Sequence, residues 1–254
     1  MKMRSVVGLV AACVLSCGLA VSAQHVYAVY YSRSPGQDLE VNLINATASD
    51  NTYEITAFDV LGSTSWEATA QLAPSDATFY LLSEYLPEAA AQWGVLLIVS
   101  ASELVLGLEY SFQGQLYAVE IVTDEVVIPS EETAYSLVAY HTAVSDAVTA
   151  AILMNPFLVD ASGRLIVRGA DGSILHQADV SLSPRASDIL NLAEIVGQGA
   201  RNWGAVELEI DEGMMILACK YFKSGIIQVA NVSTARPAGS VPAEPSADAG
   251  QKED

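Results

Sequence analysis

The chain reads as an all-β protein of two tandem β-sandwich domains, and three observations carry that reading. Residues 27–122 repeat as 137–232 at a constant offset of 110, with no gap needed. Each copy breaks into short apolar or alternating runs separated by turn signals, the pattern of strands rather than helices. The shared identities are sparse and sit on a common apolar pattern, as expected of one fold present twice.

The identities pair Tyr30 with Tyr140, Asn45 with Asn155, Gly62-Ser63 with Gly172-Ser173, and Leu72-x-Pro74 with Leu182-x-Pro184. Further along, Leu82-x-Glu84 pairs with Leu192-x-Glu194, Trp93-Gly94 with Trp203-Gly204, and Phe112 with Phe222. An unbroken register of 110 places each member of a pair at the same point of its own domain.

At the start, Lys2 and Arg4 precede an apolar stretch from Val6 to Ala20, then Val21-Ser22-Ala23. This order reads as a signal peptide over residues 1–23, with the mature chain from Gln24. An uncleaved anchor and a lipoprotein box at Val14-Leu15-Ser16-Cys17 are weaker readings of the same stretch. No other segment has the apolar length of a membrane-crossing helix. The protein is therefore expected to be exported, to periplasm or exterior, with no transmembrane helix in the mature chain.

Repeat 1 is placed at 24–123, a linker at 124–134, repeat 2 at 135–233, and a disordered acidic tail rich in Pro, Ala and Ser at 234–254. Within repeat 1, Ser65 to Leu72 alternates, putting Trp66, Ala68, Ala70 and Leu72 on one face. Val95 to Val99 is apolar throughout, as in a strand covered on both faces. Within repeat 2, residues 164–178 read as a hairpin turned at Gly169-Ala170-Asp171-Gly172. Residues 83–92 and 193–202 have room for one or two helical turns. Pro74 and Pro184 are expected to set the bend after a strand.

Seven or eight short strands in about 100 residues per copy resemble an immunoglobulin-like or fibronectin-like sandwich. The resemblance is one of architecture, without the Cys-Trp-Cys hallmark of antibody domains. A sixteen-strand membrane barrel is disfavoured by the Pro-rich ending.

Composition narrows function. The formal charge is -19, with 30 acids against 11 bases. Residues 25–123 hold twelve acids and only Arg33, giving -11; residues 135–233 hold ten acids and six bases, giving -4. So acidic a surface lacks the clustered cations that nucleic acid or an anionic membrane requires. Cys219 is the one cysteine after residue 23; it lies in an apolar run and reads as an inert core thiol. His25, His141 and His176 lack metal-ligand spacing, and no nucleophile elbow or phosphate loop is present. Asp160 and Asp171 read as turn residues rather than calcium ligands. Neither a cofactor nor a catalytic set is assigned.

Trp93-Gly94 and Trp203-Gly204 read as buried plugs at the entry to a strand, the glycine admitting close backbone approach; stacking on sugar rings is the alternative. The copies differ most in aromatics, thirteen in 27–117 against six in 135–222. Alternation along Tyr53 to Phe58 turns Glu54 and Phe58 outward, where repeat 2 has Arg164 and Arg168. Glu54, Phe58 and nearby Glu67 are the candidate surface for a protein or glycan partner. The expected role is a non-catalytic binding or structural module of the cell envelope or exterior. An envelope-directed hydrolase and a subunit of a surface assembly are the rival readings.

Overall fold

The computed structural model describes residues 25–33, 36–86, 93–112, 114–122, 135–144, 146–199, 202–223, 226–230 and 234–237. The segments expected to be a signal peptide and a linker, and the expected tail beyond Pro237, lie outside them. The first nine elements are β1 (His25–Ser32), β2 (Gln37–Ile44), β3 (Asn51–Asp59), β4 (Thr64–Leu72), β5 (Ala77–Leu81), α1 (Leu82–Tyr85), β6 (Trp93–Ser100), β7 (Val105–Phe112) and β8 (Gln115–Val122). The second set is β9 (Tyr135–Val144), β10 (Ala147–Met154), β11 (Ala161–Gly169), β12 (Ile174–Leu182), β13 (Ser187–Asn191), α2 (Leu192–Val196), β14 (Trp203–Glu212), β15 (Ile216–Lys223) and β16 (Ile226–Ala230). A last strand, β17 (Thr234–Pro237), pairs with β9, so the chain past residue 233 begins in strand rather than in disorder.

The protein is all-β. In the first half the sheets run β1-β6-β3-β4 and β5-β2-β7-β8; the second half repeats these orders as β9-β14-β11-β12 and β13-β10-β15-β16. A two-pair ladder between β9 and β10 joins the latter two at a corner. The path differs from an immunoglobulin constant domain, whose first two strands share a sheet; here β1 pairs with β6 and β2 lies in the opposite layer.

Alternation sets the inward faces. Tyr27, Val29, Tyr31, Leu39, Val41, Leu43, Ile55, Leu96, Ile98 and Leu108 fill the first sandwich. Leu137, Ala139, Leu153, Leu165, Val167, Val206, Leu208, Leu217 and Cys219 fill the second. The expected face of β4 is borne out: Trp66, Ala68 and Ala70 are half-buried and Leu72 is buried, with Glu67, Thr69 and Gln71 exposed between them. Both short helices fall where the sequence left room.

The two sandwiches also stack on each other. Ile152, Met154 and Ala218 of β10 and β15 face away from their own core and join the first-half cluster that holds Ala28, Phe58 and Leu97. Both β6 and β10 are therefore covered on two faces, and both are apolar nearly throughout. Their equivalents β14 and β2 are covered on one face and alternate, as in Val206-Glu207-Leu208-Glu209-Ile210 and Leu39-Glu40-Val41-Asn42-Leu43.

The register of 110 is interrupted, against expectation. A bulge between Ser162 and Gly163 takes one extra residue into β14, so Gly163 faces Ile210 while Ser162 faces Glu212. Equivalent positions are then 111 apart: the hydroxyl of Tyr110 donates to the carbonyl of Tyr30 (3.4 Å), and that of Tyr221 donates to Tyr140 (2.8 Å). Phe112 corresponds to Lys223, not Phe222, since they face Gln37 and Ala147. A bulge between Tyr110 and Ser111 in the β7–β8 ladder returns the offset to 110. Bulges absorb single residues in this way because pairing resumes on either side.

One buried asparagine ties the layers in each half. The Nδ2 of Asn45 donates to the carbonyls of Ser49 (2.8 Å), Leu72 (3.2 Å) and Ala73 (3.0 Å), and Oδ1 accepts from the amide of Thr47 (3.1 Å). Asn155 does the same with Val159 (2.8 Å), Leu182 (3.3 Å), Ser183 (3.1 Å) and the amide of Phe157 (3.0 Å). In each set the carbonyl of Ser49 or Val159 precedes β3 or β11, and the other two belong to the end of β4 or β12 and the proline turn that follows. Each turn has the type II form, with Pro74 or Pro184 second and a left-handed third residue, Ser75 (φ 60°) or Arg185 (φ 65°).

Replacing Asn155 with Asp should destabilise the protein by at least about 2 kcal/mol, because three carbonyls lose their donor and a carboxylate enters a buried site. Chemical denaturation against wild type measures it; a shift under about 0.5 kcal/mol would contradict this role.

Candidate functional site

The outward face of β1-β6-β3-β4 and that of β9-β14-β11-β12 occupy equivalent places, yet among the described residues only the first is covered by another sheet, over β1, β6 and the Phe58 end of β3. The β3–β4 hairpin reaches the second half, where the amide of Ser187 donates to the carbonyl of Val60 (3.2 Å). A Cβ on Gly62 would lie 2.3 Å from the carbonyl oxygen of Pro184, so the close approach requires glycine. The Arg185 guanidinium lies 4.4 Å from the ring centroid of Phe58. The Lys220 ammonium lies 5.6 Å from the centroid of Tyr30 and 5.5 Å from that of Phe222. Such placements recover part of the cost of burying a cation.

The structure thus separates the three residues expected to meet a partner. Phe58 does point outward with Glu54, but it is 5% exposed, because the second half covers it. Its partner is the chain itself, and it is withdrawn from the exposed surface. Glu54 and Glu67 come together with Ala68 and Thr69 around a shallow depression of about 390 Å³. The aromatic surplus of the first half is also largely internal. Tyr27, Tyr30, Tyr31 and Tyr110 are buried, and Trp66, Tyr80 and Tyr85 pack ring on ring at 4.8–5.5 Å beside Tyr53. The Tyr53 and Tyr80 hydroxyls meet at 2.6 Å, and burial raises the Tyr53 phenol well above its ordinary value.

The expectation that both tryptophans plug the core is overturned. Inward positions on β6 are Gly94, Leu96 and Ile98, which turns Trp93 outward. Trp93 is half-buried beside the docked second half, whereas Trp203, on the open face, is 46% exposed. The glycines after them behave as expected: a Cβ on Gly94 would lie 1.9 Å from the carbonyl oxygen of Phe58, and one on Gly204 2.3 Å from that of Arg168.

The open face of the second half carries Tyr140, 53% exposed, opposite Ala205 and diagonal to Trp203. The Tyr140 ring stacks on that of Tyr221 at 6.2 Å and 25°. In the same row Arg168 faces Ala205 from the other side, its Nε 3.3 Å from Glu207 Oε2; further along the strands Arg164 lies 3.6 Å from Asp179 and 4.0 Å from Glu209. Arg164, Asp179 and Asp211 border a second shallow depression of about 420 Å³. Repetition flagged Tyr140 and Trp203 in the sequence; no sequence signal marked the surface they share, or the docking roles of Arg185 and Lys220.

Cys219, His141 and Lys220 are buried titratable groups of the second half. Burial pushes the Cys219 thiol up to about 12, as befits a core residue. His141 is fully buried, at the position of Tyr31 in the first half; its Nε2 lies 2.8 Å from the carbonyl of Arg168 and donates to it. Burial, opposed by that hydrogen bond, lowers its pKa. Burial lowers Lys220 to about 8. Among the described residues no cluster of His, Cys, Asp and Glu has the grouping of a metal site. Among them, too, no helix is long and apolar enough to cross a membrane.

No family model matches the chain, and no curated protein matches it. Among solved structures it is similar to a calcium-binding mutant of Bacteroides uniformis β-glucuronidase 2 (10% identity, TM-score 0.18), covering 83% of this chain and 26% of that one. It is also similar to a glycosyl hydrolase family 2 member from Bacteroides cellulosilyticus (8%, 0.17; 84% and 28%). A third is a putative β-galactosidase from Bacteroides fragilis (10%, 0.18; 84% and 32%). The chain spans about a quarter to a third of those proteins, and likeness this slight does not say what it does.

The buried bases set opposite pH responses. A depressed histidine pKa means that the unfolded chain binds the proton more readily, so stability should fall as pH drops below about 6.5. His141→Gln, which keeps a donor but does not titrate, should flatten that limb of a stability-against-pH curve. An unchanged limb would reject His141 as its source. For Lys220 the burial cost is full below about 8 and disappears as pH rises toward 10.5. Lys220→Met should therefore be more stable than wild type at pH 7 by about 1–3 kcal/mol, the gap narrowing by pH 10. A less stable variant at both pH values would show that the two rings more than offset the burial.

Proposed function

We propose that the chain is an exported, non-catalytic binding or structural module of the cell envelope or exterior. The observation that carries this reading is the asymmetry of the stack. One outward face of each sandwich is spent on joining the halves, and the other stays open, flat and studded with charged and aromatic side chains. Joined face to face, the two sandwiches hold the open faces at opposite ends of the stack, and among the described residues they present surfaces with shallow depressions rather than a deep cleft. Flat faces suit recognition, whereas enzyme sites gather convergent polar groups in a concavity. On the first half, exposed Glu67 and half-buried Glu54 lie at the β3–β4 margin of the joined face and remain the residues assigned to a partner.

Purified mature chain should co-sediment with washed envelopes of the source cell while releasing no reducing sugar or peptide from them. Steady release at enzymatic turnover would move the assignment to an envelope hydrolase. Glu54→Lys with Glu67→Lys should lower retention and its dependence on salt, since exposed charges act only over about 8–10 Å at ordinary ionic strength. Unaltered retention would remove those carboxylates from the interaction.

A further inference from the structure

The open sheet face of the second half has kept the aromatics of a docking surface while losing its apolar floor. Around Tyr30 and Trp93 the first half places Phe58, Val95 and Leu97, and the second half covers them. Around Tyr140 and Trp203 the same places hold Arg168, Ala205 and Glu207. Solvent contact explains the arginine and glutamate. It does not explain two large aromatic side chains half exposed on a strand face, one of them braced from behind by Tyr221.

A second copy of the chain is a poor fit there. In the join within the chain, Lys220 presents a cation to Tyr30. The first-half equivalent of Lys220 is Glu109, as its pairing with Glu40 shows against that of Lys220 with Ala150. A head-to-tail repeat of the join would aim a carboxylate at the Tyr140 ring, whose face is itself electron-rich. The charged rows here, Arg164 and Arg168 with Glu207, Glu209 and Asp179, sum to -1, so they do not attract an acidic neighbour either.

Resting on the reading of the chain as a binding module, we propose that this face binds the sugar rings of a glycan. Tyr140 and Trp203 stack against the C–H faces of the rings, and the Arg168–Glu207 pair hydrogen-bonds ring hydroxyls. A pyranose has an apolar face and a polar rim. The face has the matching order: aromatic surface, the small residue Ala205 as floor between, then a charge-paired donor and acceptor held at 3.3 Å. An open sheet admits a chain running across it, so an oligosaccharide fits better than a lone monosaccharide.

The full mature chain would be titrated with hexasaccharides of β-1,4-linked glucose and of β-1,4-linked N-acetylglucosamine, following tryptophan fluorescence and heat. One or both should bind, and Trp203→Ala and Tyr140→Ala should each weaken binding about tenfold or more. Arg168→Gln should weaken it less, and Phe79→Ala, an exposed aromatic on the opposite end, should leave it unchanged. All four positions are at least partly solvent-facing, and an unchanged melting temperature confirms that the variants fold. Failure of both sugars to bind at millimolar concentration, or equal binding by Trp203→Ala, overturns the proposal. So does concentration-dependent polymerisation of wild type that Trp203→Ala abolishes, which would make a second copy the occupant. If washed envelopes retain the Tyr140→Ala, Trp203→Ala double variant as well as wild type, the glycan face falls while the binding module stands. If they retain neither protein although wild type binds a hexasaccharide, the module reading falls and the sugar face stands.

Discussion

Burial of one sheet against another between the two sandwiches is the constraint on which the rest of this structure depends. It takes the outward face of β10 and β15 and lays it on the outward face of β1, β6 and β3. Water is excluded from Ile152, Met154 and Ala218 on one side and from Ala28, Phe58 and Leu97 on the other. Where they meet, the two middle sheets lack a solvent side, and one central strand of each, β6 and β10, is apolar nearly throughout. The two outer sheets keep a wet face, and theirs alternate. The asymmetry between otherwise equivalent strands, β6 against β14 and β10 against β2, follows from stacking order alone.

That join also explains the cations of the second half. Arg185 and Lys220 are placed over the rings of Phe58 and Tyr30. In the first half their equivalents are Ser75 and Glu109, at positions that meet no third sandwich. A lysine within an apolar interface is costly, as its lowered pKa records. Facing rings offset part of that cost and restrict which surface can dock there.

Within each half, the repeated asparagine performs the work that sequence drift has spared. Asn45 and Asn155 satisfy carbonyls left open where a strand crosses from one layer to the other, a region where backbone groups lack ladder partners. Side chains in the core can differ in size between the halves, as Leu108 against Cys219 or Tyr31 against His141, because packing tolerates coordinated change. Three acceptors and a donor at fixed positions have no such substitute.

The sequence by itself determined the strand succession, the repetition, the hairpins, the proline turns, the buried character of Val95 to Val99 and the outward direction of Glu54 and Phe58. All are local: they follow from periodicity, turn chemistry and one-residue alternation. Only the tertiary structure decided what covers each outward face. It buried Phe58, left Trp203 exposed, and joined Glu54 to Glu67 in one depression and Tyr140 to Trp203 on one sheet. It also showed that the repeat slips by one residue between two bulges, which a run of similar apolar residues conceals. Alternation tells a side chain which way to point. Whether water or another sheet waits there depends on contacts made over a hundred residues away, and these leave their trace in the sequence only as strands that have stopped alternating.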